Sequence, residues 1–187
     1  MSLRAVLQAL ATRFAAEEEH LNRLDAATGD GDHGTTMSRG MSAATVAASD
    51  LPAAATEREL LQAAGSALLS AAGGASGALF GSLLLEFAAH EDWATRFERG
   101  AQRVARVGKA SPGDKSMLDA LIPAGEAFKH GGFAAAASAA SEGAEATIPM
   151  SAKRGRARYI ENGGAGQIDP GAVSIALMVE VLREHCA

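Results

Sequence analysis

Residues 25–34 read Asp-Ala-Ala-Thr-Gly-Asp-Gly-Asp-His-Gly, and a continuous helix could not use those acids together. At about 100° per residue, Asp30 and Asp32 would point to nearly opposite sides, and Asp25 would lie ~140° from Asp30. Gly29 and Gly31 weaken a helix further. The pattern predicts a helix that ends near Asp25, then a tight loop that gathers three carboxylates. Clustered carboxylates repel unless a cation sits between them. An all-oxygen set suits a hard divalent ion, and Mg²⁺ keeps room for water and phosphate oxygens. The first inference is a carboxylate–Mg²⁺ site for a phosphorylated ligand. The plainer alternative is a solvated acid-and-glycine turn.

Other readings of the same residues fail on context. Gly29, Gly31 and Gly34 satisfy Gly-x-Gly-x-x-Gly, but that fingerprint requires a preceding strand. Ala5 to Leu24 instead reads as an amphipathic helix, with Val6, Leu10, Phe14, Leu21 and Leu24 apolar among Arg13, Glu17, Glu18 and Asn22. An EF-hand counted from Asp30 would place Thr35 where glycine is required and Met41 where glutamate is required. Gly108-x4-Gly113-Asp114-Lys115-Ser116 nearly matches a P-loop, yet Asp114 displaces the lysine by one and a helix precedes it.

The rest of the chain reads as about eight helical segments within one domain spanning residues 1–187. Hydrophobic content is 48% but aromatic content only 4%, and alanine carries much of the difference. Such a chain favours closely packed helices. The first helix runs to about Leu24 and the second from Gly34 to Ala48. Thr56, with Glu59 as capping-box partner, starts a third over Glu57–Ala71. Gly73-Gly74-Ala75-Ser76-Gly77 precedes an apolar helix through His90. Asp92 caps the next, to Val107. Ser116–Lys129 follows, with Pro123 as a candidate kink. Gly131-Gly132 separates it from Phe133–Ala146. Residues 147–167 read as mostly irregular. Asp169-Pro170 starts the last helix, as N-cap and first position.

Charge and cysteine content exclude several classes. Net charge is −5, so no general basic face for nucleic acid is expected. Lys153, Arg154, Arg156 and Arg158 form only a local basic stretch. Arg156 reads either as a phosphate partner or as a solvated charge. The glycine-rich run 73–77 reads either as a close-packed turn or as a phosphate approach at a helix N-terminus. Cys186 is the single cysteine, which fits a reducing compartment and a cytoplasmic protein. No secretory leader and no membrane span is expected.

Taken together, the loops resemble the nucleotide-binding L subunit of dihydroxyacetone kinases. The residues that carry the resemblance are Leu24-Asp25 with Gly29-Asp30-Gly31-Asp32-His33-Gly34, then Leu69-Ser70 with Gly73 to Gly77, and Pro112 to Met117. Lys153-Arg154-Gly155-Arg156-Ala157 and Asp169-Pro170-Gly171-Ala172 complete the series. The motifs occur in family order along essentially the whole chain. The resemblance implies an all-helical barrel of eight antiparallel helices with ADP or ATP bound across one end. By it, Asp25, Asp30 and Asp32 hold two Mg²⁺ ions on the nucleotide phosphates. His33, Gly34, Thr35 and Thr36, with Ala75 and Ser76, line the phosphate and ribose path. Gly108 and Met117 border the base, and Arg156 with Asp169, Pro170 and Gly171 closes the pocket. Two departures stand out: Thr36 occupies a position where the family pattern has asparagine, and Asn162 to Gln167 replaces a stretch that often carries Arg and His. His33 is similar to the ketose-kinase branch, whereas related fatty-acid-kinase domains carry threonine there.

The resemblance implies a kinase subunit of glycerol metabolism. It would pass a γ-phosphoryl group to a short-chain ketose, foremost dihydroxyacetone, held by a separate K subunit. Recharging would come from exchanging ATP or from a phosphocarrier protein of the phosphotransferase system, and a homodimer is also admitted. Two alternatives stand beside this reading. One is a regulatory module that signals nucleotide state to a transcription regulator. The other is a nucleotide subunit for a different acceptor, a four-carbon ketose or a fatty acid.

Overall fold

Most helices begin where the sequence supplies a side-chain acceptor for free amides. In the computed structural model, which describes residues 2–186, Ser2 accepts from the N–H of Ala5 and caps α1, Leu3–Ala16. Thr56 and Glu59 form the reciprocal capping box of α4, Glu57–Ala72. Asp92 accepts from Thr95 and starts α6, Trp93–Gly108. Asp169 accepts from Ala172 at 2.7 Å and starts α8, Pro170–Cys186. The remaining helices are α2 (Glu18–Ala26), α3 (His33–Ser49), α5 (Gly74–Ala88) and α7 (Leu118–Ala146), with two short 3₁₀ turns between α7 and α8. Among the described residues there is no strand, and no helix is long and apolar enough to cross a membrane.

One boundary differs from the sequence expectation. The first helix divides at Glu17 (φ −94°, ψ 3°) into α1 and α2. The break tilts α2 onto the start of α3, where a side chain at Gly34 would meet the Glu18 carbonyl at 2.0 Å. As expected, two helical segments meet at Gly131-Gly132; they are described together as the two arms of α7. Gly131 (φ −145°, ψ 17°) and Gly132 (φ 61°, ψ −154°) reverse the chain between its two arms. Pro123 lies inside the first arm, and the helix continues through it with helical dihedrals. Proline cannot donate to the carbonyl four residues back, which belongs to Asp119. The returning arm of α7 covers that carbonyl: a Cβ on Gly143 would lie 2.3 Å from it.

The helices close into a ring. Along the chain α3, α4, α5, α6, α7 and α8 each pack on the next, and α1 bridges α8 to α3. Counting the arms of α7 separately and α1 with α2 once, the ring has eight members, as the barrel expectation required. Small residues let neighbours approach closely: a Cβ on Gly65 or on Gly81 would each lie about 3 Å from the other's carbonyl, across the α4–α5 contact. Inside lie Leu7, Phe14, Met37, Met41, Leu68, Phe80, Leu83, Leu121 and Ile175, each almost fully buried.

Up-and-down order sorts the connections between two poles. The α2–α3, α4–α5, α6–α7 and α7–α8 connections share one pole. The α3–α4 and α5–α6 connections and the α7 reversal share the other. That second pole is stiffened by edge-to-face aromatic contacts, including Trp93–Phe133 at 5.1 Å and Phe128–Phe133 at 4.9 Å.

Gly143→Ala tests the fold-back of α7. Alanine gains up to about 1 kcal/mol in helix propensity. Its methyl would nonetheless strike the Asp119 backbone, and overpacking of this kind costs ~1–3 kcal/mol or more. The expected net result is a thermal midpoint lowered by several degrees, read by circular dichroism.

Candidate functional site

The acidic loop is built around Asp25, one residue before the end of α2. Its Oδ2 accepts backbone N–H groups from Gly31 (2.9 Å), Asp32 (3.0 Å) and His33 (3.2 Å). One carboxylate oxygen thus folds the loop and fixes the first turn of α3. Gly31 takes φ 78°, a conformation glycine adopts without strain. Gly29 lies so close that a Cβ there would meet Asp25 Oδ1 at 2.3 Å. With these constraints met, one carboxylate oxygen from each of Asp25, Asp30 and Asp32 falls within 4.8 Å of the others. Asp30 also pairs with the Arg156 guanidinium, which reaches over the loop. The pairing places Arg156 at the acidic loop itself, on the cavity wall.

His33 opens α3 and is buried against α5 and α8. Its Nδ1 lies 3.0 Å from Ser76 Oγ and its Nε2 2.8 Å from Ser174 Oγ. Burial pushes its pKa down to about 4, against the upward pull of the Asp25 carboxylate and the Pro170 main chain. The ring is neutral at physiological pH and ties three helices together at the loop.

These residues stand at one end of a cavity of about 730 Å³ on the loop pole. Asp25, Asp30, Asp32, His33, Thr36, Ala75, Ser76, Gly108, Met117, Arg156, Asp169, Pro170 and Gly171 all line it. Gly34 and Thr35 do not. Gly34 is consumed by the contact with α2. Thr35 turns back to the same helix, donating to Glu18 Oε1 at 2.9 Å and accepting from Asn22 Nδ2 at 2.9 Å. The α5 N-terminus enters the wall at Gly73 and Gly74 with no side-chain cap. Its first amides are therefore available to an anion.

Several lining residues escaped the sequence reading. Arg39 lies on the Thr36 face of α3 and donates to the carbonyls of Ala71 and Ala72, each at 2.9 Å; its three-residue spacing from Thr36 was the available signal. Leu79, Val104 and Val107 make an apolar flank beside Met117. Lys109, Arg154 and Arg158 bring further positive charge to the rim. The cavity thus joins an acidic loop, a helix N-terminus, a fringe of cations and an apolar flank. That combination suits an anionic ligand with a flat apolar part and bound cations.

Asp169 sits on the cavity wall, its N–H donating to Thr147 Oγ1 at 2.9 Å. Burial raises its pKa to about 7, helped by Asp119 and Asp25, against the Ala172 N–H and Lys115.

A model of the DAK2 domain matches residues 27–184. The chain is 37% identical over 189 residues to the ADP-binding subunit DhaL of the PEP-dependent dihydroxyacetone kinase of Escherichia coli, covering 90% of this chain and 89% of that one. It is 38% identical over 198 residues to the L-erythrulose 1-kinase of Mycolicibacterium smegmatis, covering 97% of this chain. Among solved structures, the dihydroxyacetone kinase of C. freundii in complex with AMP-PNP and Mg²⁺ superposes with a TM-score of 0.81 at 27% identity over 97% of this chain. The chain spans 35% of the length of the erythrulose kinase and 33% of the C. freundii chain.

A pH dependence follows from Asp169. A carboxyl with a raised folded pKa contributes stability that is complete below its ordinary value of 3.8 and lost as pH rises through about 7. Asp169→Asn keeps a good N-cap and removes the titration. Thermal midpoints at pH 5 and pH 8 should fall with rising pH more in the wild type than in this variant.

Proposed function

The chain belongs to the DAK2 domain family, and on that ground we propose that it is the nucleotide-binding subunit of a ketose kinase. It holds ADP or ATP with Mg²⁺ in the loop-pole cavity. It passes the γ-phosphoryl group to a short-chain ketose, dihydroxyacetone or a four-carbon relative, carried by a separate K subunit. The observation that carries this reading is the convergence of Asp25, Asp30 and Asp32 at one end of a cavity that also offers a free helix N-terminus.

The donor set fits Mg²⁺: three hard carboxylates whose oxygens converge within 4.8 Å, one of them already oriented by backbone amides. Asp25, Asp30 and Asp32 would hold two such ions, which would neutralise phosphate charge and align the transferring group. The α5 amides at Gly74 to Ser76 receive phosphate oxygens. Arg156 stands at the same place and offers a planar fork to phosphate. Neutral His33 keeps Ser76 and the loop in register. Leu79, Val104, Val107 and Met117 give the base an apolar seat. Phosphoryl transfer asks mainly for positioning and charge compensation, and these residues supply both.

The acceptor lies on the partner, and recharging takes one of two forms. ADP stays bound and a phosphocarrier protein of the phosphotransferase system restores the phosphate, or ATP exchanges from solution. Acid denaturation of purified protein followed by chromatography distinguishes them. Near-stoichiometric ADP supports recharging in place, an empty protein that binds ATP only with Mg²⁺ supports exchange, and binding of neither nucleotide would overturn the reading. Asp30→Ala should abolish Mg²⁺-dependent nucleotide binding while leaving helical circular dichroism intact. Unchanged nucleotide affinity in that variant would remove Asp30 from the metal set.

A further inference from the structure

Two cations are buried in the described chain, Arg96 and Lys115. Arg96 has an evident structural place at the aromatic pole, paired with Glu57 at 3.1 Å and lying over Trp93. Lys115 lies on the cavity wall and is bound differently. Its ammonium donates to two main-chain carbonyls, that of Thr147 at 2.7 Å and that of Gln167. Its own backbone sits at φ 59°, in the left-handed region that a lysine seldom occupies. Asp119 holds it there, its carboxylate accepting the N–H of Gly113 and, at 2.8 Å, of Ser116 on either side. Burying an ammonium is costly and fills no gap that an apolar side chain would not fill. The groups it joins explain its presence.

Those groups stand where α7 ends and where the chain enters α8. Thr147 ends α7, and Gln167 leads into the Asp169–Pro170–Gly171 turn. Thr147 Oγ1 accepts the Asp169 N–H at 2.9 Å, so the lysine grips the turn both through Gln167 and through Thr147. The turn in turn touches both regions of the cavity. Pro170 lines the cavity with His33, whose Nε2 lies 2.8 Å from Ser174 Oγ, four residues further along α8. Gly171 packs on Met117, where an added Cβ would lie 3.5 Å from the Met117 Cβ.

We propose that Lys115 is a positioning residue of the nucleotide site: its ammonium, donating to the Thr147 and Gln167 carbonyls, locks the Asp169–Pro170–Gly171 turn between His33 and Met117 and thereby sets nucleotide affinity. The inference rests on the nucleotide reading above. It separates two properties that general damage would not separate. The turn controls how tightly the nucleotide is held, whereas the three aspartates, organised by backbone amides on the far side of His33, control the ion requirement.

The test measures ADP binding by isothermal titration calorimetry at saturating Mg²⁺, and separately the Mg²⁺ concentration that half-supports ADP binding. Lys115→Met retains the apolar stem and removes the donors. It should raise the Kd for ADP ~10–100-fold, the range for loss of a group that orients ligand-binding residues, with the Mg²⁺ midpoint unchanged. Lys115→Arg keeps donors for both carbonyls and should restore most of the affinity. Thr147→Val acts on the same turn from the other side and should weaken ADP in the same direction, which keeps the test decisive if Lys115→Met does not fold. Wild-type affinity in Lys115→Met, or in Thr147→Val where the lysine variant does not fold, would overturn the inference while leaving the nucleotide reading intact. So would an equal loss of ADP affinity and Mg²⁺ response. A wild-type protein that takes up no ADP at all would instead remove the nucleotide reading itself.

Discussion

Asp25 Oδ2 and the three amides it gathers are the contact on which the working pole depends. A carboxylate that accepts from Gly31, Asp32 and His33 does three things at once. It replaces the missing intrahelical partners at the start of α3. It bends residues 27–32 into a loop tight enough to bring Asp30 and Asp32 beside it. It delivers His33 into the interior, where Ser76 and Ser174 receive it and join α3 to α5 and α8. The loop is therefore not an ornament on a finished barrel. Its central hydrogen bonds are also the joint that sets α3 against its neighbours, so the acidic cluster and the core are assembled by the same atoms.

Electrostatically, the cavity is poised rather than balanced. Acids at one end are faced by Arg39, Lys109, Arg154, Arg156 and Arg158 around the walls and rim, although the chain as a whole carries −5. Arg156 reaches Asp30 directly, while Lys153 and Arg154 engage the buried Asp114 at 3.2 Å and 3.6 Å, anchoring the root of the same segment. A basic strand of chain is thus moored at one end on a fixed carboxylate and rests at the other on an aspartate of the acidic loop.

Much of this was legible because it is local. The cap at Thr56 with Glu59, the cap at Asp92 and the Asp169-Pro170 start are written in two to four adjacent residues, and each forms where those residues stand. The acidic loop was legible for the same reason, since its spacing forbids a helix whatever surrounds it. The division at Glu17 left no mark, because neither glycine nor proline signals it; the demand comes from α3, through Gly34. The inward burial of Lys115 was equally hidden, because its acceptors lie 32 and 52 positions away. Gly34 and Thr35 stand off the cavity wall for a related reason: both are engaged by α2, Gly34 against the Glu18 carbonyl and Thr35 with Glu18 and Asn22. Pro123 was legible as a residue that costs a helix one bond, but the covering of the carbonyl it frees by Gly143, twenty positions on, was not.

The sorting of connections between poles bears on how such a ring can be built into larger proteins. α1 begins and α8 ends at the aromatic pole; the two helices pack together, and Arg13 in the last turn of α1 pairs with Glu184 near the end of α8 at 3.1 Å. Neither end of the ring passes near the cavity mouth. Joining another module to either helix would leave the mouth unobstructed and the closure of the ring untouched. Both arrangements occur among the proteins it resembles: it matches 89% of the length of one relative and 35% of another.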